Sequence, residues 1–157
     1  MRITRAVYDS IRAHGEETYP HECCGALLGR AAEGHWNIEE AVRAGNTRTD
    51  SAHNRYQIAP AELVKIQRAA RAKGFDIAGF YHSHPDHPAQ WSPIDLVEAH
   101  WVGCSYLITA VAEGKATVSN AFLLKGATEE DKHFVHEAIE ISEVAEPLPA
   151  VAESKKA

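Results

Sequence analysis

The chain has 157 residues, of which 45% are apolar and 24% charged, and its formal net charge is −6 at pH 7. That length supports one hydrophobic core rather than two, and an acidic balance with scattered Lys and Arg argues against nucleic acid as a partner, because phosphate binding needs a basic face. No apolar stretch approaches the roughly 20 residues of a membrane span, and the N-terminal MRITRAVYDS lacks the apolar stretch of a secretion signal, so a cytoplasmic protein with no membrane partner is expected.

In chain order, Thr4 to about His14 reads as a first helix, with Val7 and Ile11 on one face and Gly15 near its end. The compact apolar run Cys23–Leu28 is short enough for a buried strand, and residues 35–42 pair with it as a hairpin turned by Gly34. Arg43–Asn54 is polar and loop-like, and a short strand is expected around Tyr56–Ile58. Pro60 opens a second helix that runs to about Lys73, with Leu63, Ile66 and Ala70 at helical spacing and Gly74 as its stop. Asp76–His82 is apolar and rich in strand formers, so it predicts a central strand. Ser92-Pro93 begins a third helix reaching about Trp101, followed by strands over Ser105–Val111 and Ala116–Leu124. A last helix is expected from about Thr128 to Val144, carrying Phe134, Ala138 and Ile141. The pattern predicts a mixed α/β (α+β) domain over residues 1–145, with partly antiparallel strands and a disordered tail over 146–157.

Three cysteines, Cys23, Cys24 and Cys104, form neither a disulfide framework nor a Cys-x-x-Cys knuckle, which predicts reduced, buried thiols. Ten histidines make a single His-x-His pair uninformative, since about 0.6 such pairs arise by chance in a chain of this composition. The string HSHPDHPAQWSPID at 82–95 adds Pro, Ser and Asp at fixed positions and stands clear of that background.

His82 and His84, two apart on a strand, emerge on one face and can converge on one ion. Asp95, in the first turn of the next helix, is close enough to supply a third ligand. Two imidazoles and a carboxylate suit zinc better than magnesium or calcium and leave a coordination position open for water. A competing reading makes Ser92-Pro-x-Asp95 a helix start, with Ser92 as N-cap and Asp95 at the positive end of the dipole; for Ser92 the two readings are compatible. Glu22, in HECCG, is the candidate base for such a site, although a Glu before an apolar strand is also an ordinary strand-end charge.

The segments PHECCGALLGR and GFYHSHPDHPAQWSPID resemble the JAMM (MPN-plus) metallopeptidase signature, Glu…His-x-His-x10-Asp with a Ser three before the Asp. They are similar to the small stand-alone prokaryotic members of the Mov34/MPN/PAD-1 family, and the similarity covers residues 1–125. The resemblance implies one zinc ion per chain on His82, His84 and Asp95, Glu22 as general acid/base, and Ser92 as a donor to the oxyanion. It implies a curved mixed β-sheet flanked by helices, related to the cytidine deaminase architecture; deaminase chemistry is disfavoured because the Pro-Cys-x-x-Cys motif is absent. It also implies a substrate: a peptide or isopeptide bond at the C-terminal tail of a ubiquitin-like or sulfur-carrier protein of the ThiS/MoaD type, held as an extended strand along Asn46–Ile58. Two rival functions are a non-catalytic module binding ubiquitin-like partners and a zinc amidohydrolase acting on a small molecule.

Overall fold

In a computed structural model of the chain, residues 1–47 and 56–143 are described. Among the described residues, eight strands form one sheet in the order β7-β6-β5-β4-β2-β3-β1-β8. They are β1 (Arg2–Thr4), β2 (Cys24–Ala32), β3 (His35–Ala44), β4 (Asp76–Pro85), β5 (Ser105–Ala112), β6 (Lys115–Lys125), β7 (His133–Glu137) and β8 (Glu140–Ser142). Three helices accompany them: α1 (Arg5–Thr18), α2 (Pro60–Ala72) and α3 (Pro93–Glu98). The sheet is mixed: β1 runs parallel to β3 and β8, β4 runs parallel to β5, and the other pairs are antiparallel. This is the curved mixed sheet with flanking helices that the sequence predicts.

The strands at the centre are almost continuously buried because both faces are covered. Val7, Tyr8 and Ile11 of α1 pack with Leu27, Ala78, Tyr81 and Leu107 on one face. On the other, Leu63, Ile66 and Ala70 of α2 pack with Leu28, Ile77, Phe80 and Tyr106. Each fully buried Leu, Ile or Phe contributes roughly 1.5–3 kcal/mol from loss of apolar surface to water. Among the glycines at close approaches, two bear on the strands that carry the site. A Cβ on Gly79 would lie 1.7 Å from the Ser105 carbonyl oxygen, so β5 can pair with β4 only because that position has no side chain. Gly15 sits inside α1, where a Cβ would meet Val111 Cγ2 at 3.0 Å and Ser83 Cβ at 3.3 Å.

Several boundaries differ from the sequence expectations. α1 continues through Gly15 to Thr18, since Gly15 serves close packing rather than termination, and its N-cap Thr4 accepts from the Val7 N–H at 3.2 Å. β4 continues past His82 to Pro85, which places both motif histidines within a strand. α3 ends at Glu98, and Ala99 is already extended, so it is shorter than the helix to Trp101 that was expected. Tyr56–Ile58 is not a strand; Gln57 is tied back by its carbonyl, which accepts from Thr47 N–H at 2.9 Å, and by its N–H, which donates to Asn46 Oδ1 at 3.1 Å.

The expected last helix over Thr128–Val144 is wrong. That stretch forms β7 and β8. Its residues alternate: Phe134 turns inward against Tyr106, Phe122 and Trp91 while His133 and Val135 are exposed, and β7 pairs antiparallel with β6. A period of two, with the β6 edge available for pairing, outweighs the helical spacing of Phe134, Ala138 and Ile141. Residues 48–55, most of the expected loop, and the tail from 144 onward lie outside the described residues.

Candidate metal centre

Strand alternation sends Phe80, His82 and His84 to the α2 side of the sheet, and Tyr81 and Ser83 to the α1 side. The chain then turns through 86–91 and enters α3, where Ser92 is the N-cap and Asp95 occupies the third helical position. Ser92 Oγ accepts from Asp95 N–H at 3.1 Å, and Asp95 Oδ2 accepts from Ser92 N–H at 2.8 Å, a reciprocal capping box. The capping reading of Ser92 and Asp95 is therefore correct, and the same box aims the Asp95 carboxylate. Its Oδ1 lies 3.3 Å from His82 Nε2 and its Oδ2 3.2 Å from His84 Nε2, while the two Nε2 atoms are 3.1 Å apart.

Glu22 arrives from a distant part of the chain. It lies two residues before β2, whose antiparallel register with β4 sets Cys24 opposite His82. Two further bonds fix the junction: Cys23 N–H donates to Ser83 Oγ at 2.8 Å, and Ser83 N–H donates to the Cys23 carbonyl at 3.2 Å. Glu22 is thereby held at 3% exposure, with Oε1 at 3.9 Å from His84 Nε2 and Oε2 buried without a hydrogen-bond partner. Such an orphaned carboxylate oxygen is costly unless something else occupies its surroundings.

The electrostatics follow from burial. Burial raises the Glu22 carboxyl to about 8; the His84 imidazole opposes this, and Asp95 and Glu98 reinforce it. Burial also works against ionisation of Asp95, yet hydrogen bonds from His82 and His84 hold its carboxyl well below the usual carboxylate range. Desolvation lowers His82; His84 is raised in spite of desolvation, through Asp95 and the Pro88 carbonyl. These shifts favour the ionised form of Asp95 and, close by, the protonated form of Glu22.

The donor set fits a small dication. Four ligands at 2.0–2.1 Å from a tetrahedral zinc ion are separated from one another by about 3.3–3.4 Å, close to the 3.1–3.3 Å edges of the His82–His84–Asp95 group. Glu22, His82 and His84 also offer donor atoms within 4.8 Å of one another, so two carboxylates compete for the third ligand position. Distance favours Asp95, which touches both imidazoles; Glu22 stands back at 3.9 Å from the nearer one.

Tyr56 stacks on His82, with ring centroids 4.5 Å apart and planes inclined by 25°. Behind it a cavity of about 260 Å³ is lined by residues including Ile58, Leu63, Phe80, Glu98, Trp101 and Tyr106. Nothing local in the sequence marks Tyr56, because the stacking depends on the chain returning to the site after the β2–β3 hairpin. Of the expected groove wall, Asn46, Thr47 and Tyr56–Ile58 are described. His87 is exposed beside the site, His21 and His100 are also exposed, and Cys23, Cys24 and Cys104 are buried free thiols. His133 and His136 are exposed on β7, and a spacing of three on a strand sends them to opposite faces.

A buried pair of strand histidines, an aspartate presented by a helix start and a glutamate from the segment leading into the neighbouring strand define a metallohydrolase-like centre on a mixed sheet. The chain belongs to the prokaryotic homologs of the JAB domain, whose family model matches residues 4–125. It is 34% identical over 115 residues to a desampylase from Haloferax volcanii, the match covering 69% of this chain and 78% of that protein. It is 31% identical over 101 residues to a probable TtuB-protein conjugate cleaving protease from Thermus thermophilus, covering 64% of each. A solution structure of a Salinibacter ruber protein is similar at 36% identity and a TM-score of 0.70, covering 94% of this chain and 95% of that one. The crystal structure of a JAB1/MPN domain protein from Archaeoglobus fulgidus shares the fold at 15% identity and a TM-score of 0.56, covering 90% and 96%. Among the described residues no helix is long and apolar enough to cross a membrane.

Proposed function

We propose that the protein is a JAMM-type zinc metallopeptidase that cleaves a peptide or isopeptide bond at the C-terminal tail of a ubiquitin-like protein, of the sulfur-carrier (ThiS/MoaD) type. The observation that carries this reading is the His82–His84–Asp95 donor triangle with the carboxyl group of Glu22 beside it and otherwise unengaged. The two relatives support the substrate class, one being named a desampylase and the other a protease of TtuB-protein conjugates. One zinc ion on His82, His84 and Asp95 would supply Lewis acidity, polarising the scissile carbonyl and acidifying water.

The remaining work falls to side chains. Glu22 accepts the proton of the attacking water and delivers it to the departing amine as the C–N bond breaks and a C–O bond forms. Its buried carboxyl, which holds a proton near neutral pH without a cation, is suited to carrying that proton between the two sites. Ser92 Oγ accepts from Asp95 N–H, which leaves its own hydroxyl proton free to donate to the oxyanion of the tetrahedral intermediate. Tyr56 covers His82 and excludes water from that side, and the cavity behind it takes an apolar side chain of an extended tail. A cytoplasmic location agrees with the three unpaired cysteines.

The test uses purified protein loaded with zinc and TtuB joined through its C-terminus to a reporter peptide, with products read by mass spectrometry. Release of the reporter at the junction is expected. Binding of the fusion without cleavage would identify a docking module instead, and hydrolysis of small amides alone would identify an amidohydrolase.

A further inference from the structure

The two motif histidines are held differently. His82 Nδ1 is buried with no hydrogen-bond partner, and the ring is positioned by stacking on Tyr56. His84 Nδ1 lies 2.8 Å from the Pro88 carbonyl oxygen. A carbonyl can only accept, so Nδ1 carries a proton and the lone pair of the neutral ring falls on Nε2, the atom that faces His82 and Asp95.

That lock holds only if Pro88 is fixed, and the loop carrying it is tied at both ends. At its start, Asp86 N–H donates to the Val111 carbonyl at 2.8 Å, and Asp86 Oδ1 accepts from Glu113 N–H at 2.8 Å. At its end, Ala89 is buried against Ile108, Ala110 and Phe122, and its carbonyl accepts from the side-chain amide of Asn120 at 2.9 Å. Asn120 lies in the same cross-strand row as His82, since His82 pairs with Ile108 on β5 and Ile108 with Asn120 on β6. It therefore projects on the face of the sheet that bears the metal centre, two strands away.

We infer that Asn120 is a positioning residue for the metal centre: by anchoring Ala89 it fixes the neighbouring Pro88 carbonyl, and through it the tautomer and ring orientation of His84. The inference rests on the reading of His84 as a ligand through Nε2. Partners of ligand histidines of this kind typically govern metal affinity by about 10–100-fold.

The experiment compares full-length wild type with Asn120→Ala and with the isosteric Asn120→Asp, which cannot donate to the Ala89 carbonyl and covers the case that the alanine variant folds poorly. Nitrogen chemical shifts of the histidine rings are recorded on metal-free protein at a pH where imidazole is neutral, and zinc affinity is measured by competition with a chromophoric chelator. Wild type should show His84 protonated at Nδ1. Both variants should show a tautomer mixture and bind zinc about 10–100-fold more weakly. A lowered thermal midpoint with unchanged His84 shifts and unchanged zinc affinity would reduce Asn120 to a purely structural residue and overturn the inference. A wild type with the Nδ1 proton in place that binds no zinc would instead overturn the metal reading, leaving the lock supported.

Discussion

At the scale of single residues, the division between ligands and base has separable consequences. His82→Ala, His84→Ala and Asp95→Ala should each lose zinc and activity together, measured by metal analysis alongside turnover. Glu22→Gln should retain zinc while turnover falls by about 10²–10⁴-fold, the usual size of a general acid/base contribution. Glu22 also predicts a pH effect on stability without metal. Its carboxyl is raised from 4.5 to about 8 in the folded protein, so between those values the folded state keeps a proton that the unfolded chain has released. Stability from this group is complete below about 4.5 and is lost as pH rises through about 8. Urea midpoints of chelated wild type should therefore decline from pH 5 to pH 8 relative to Glu22→Gln, and parallel profiles would reject the assignment. His82, His84 and Asp95 were legible because they lie within fourteen residues of one another. The proximity of Glu22 is a product of β2–β4 pairing, and Tyr56 and Asn120 reach the site through loops and a cross-strand row that no local pattern encodes.

At the scale of elements, α3 is short, none of its residues is fully buried, and it depends on its capping box. Ser92→Ala should cost about 0.5–2 kcal/mol of stability by denaturant titration, and lower kcat by about 10²-fold if the hydroxyl also serves the oxyanion. A loss of stability with unchanged kcat would leave Ser92 with capping alone. The β4–β5 pair depends on Gly79, where an added methyl would overlap the Ser105 carbonyl. Gly79→Ala should destabilise the protein by about 3 kcal/mol or more, since the obstacle is backbone rather than a movable side chain. The central strands, the first hairpin and α2 were readable from period and punctuation. The C-terminal segment was not: Phe134, Ala138 and Ile141 fit a helical spacing, and only long-range pairing, of β7 with the β6 edge and of β8 with β1, overrides it. β1 escaped notice because its three residues gain their partners from β3 and β8, far away in sequence.

At the scale of the whole molecule, the proposed ligands come from a central strand and from the helix that begins the crossover to its parallel neighbour. An ion there would tie those two elements together in the folded state. Zinc at 1,000 times its dissociation constant should add about 4 kcal/mol to folding stability and raise the thermal midpoint. A chelator should reverse both that gain and the activity, with zinc restoring them; a midpoint indifferent to zinc would argue against a site on these elements. The antiparallel register that sets Cys24 opposite His82 has a further consequence for how this chain can be rebuilt. Sliding β2 by a single position would turn the acid away from the imidazoles and put a thiol in its place. Length changes should therefore be tolerated in the exposed β2–β3 turn at Glu33-Gly34, yet ruinous between Glu22 and Leu27. An indel scan of the gene would then outline the catalytic architecture without any substitution at a reacting group.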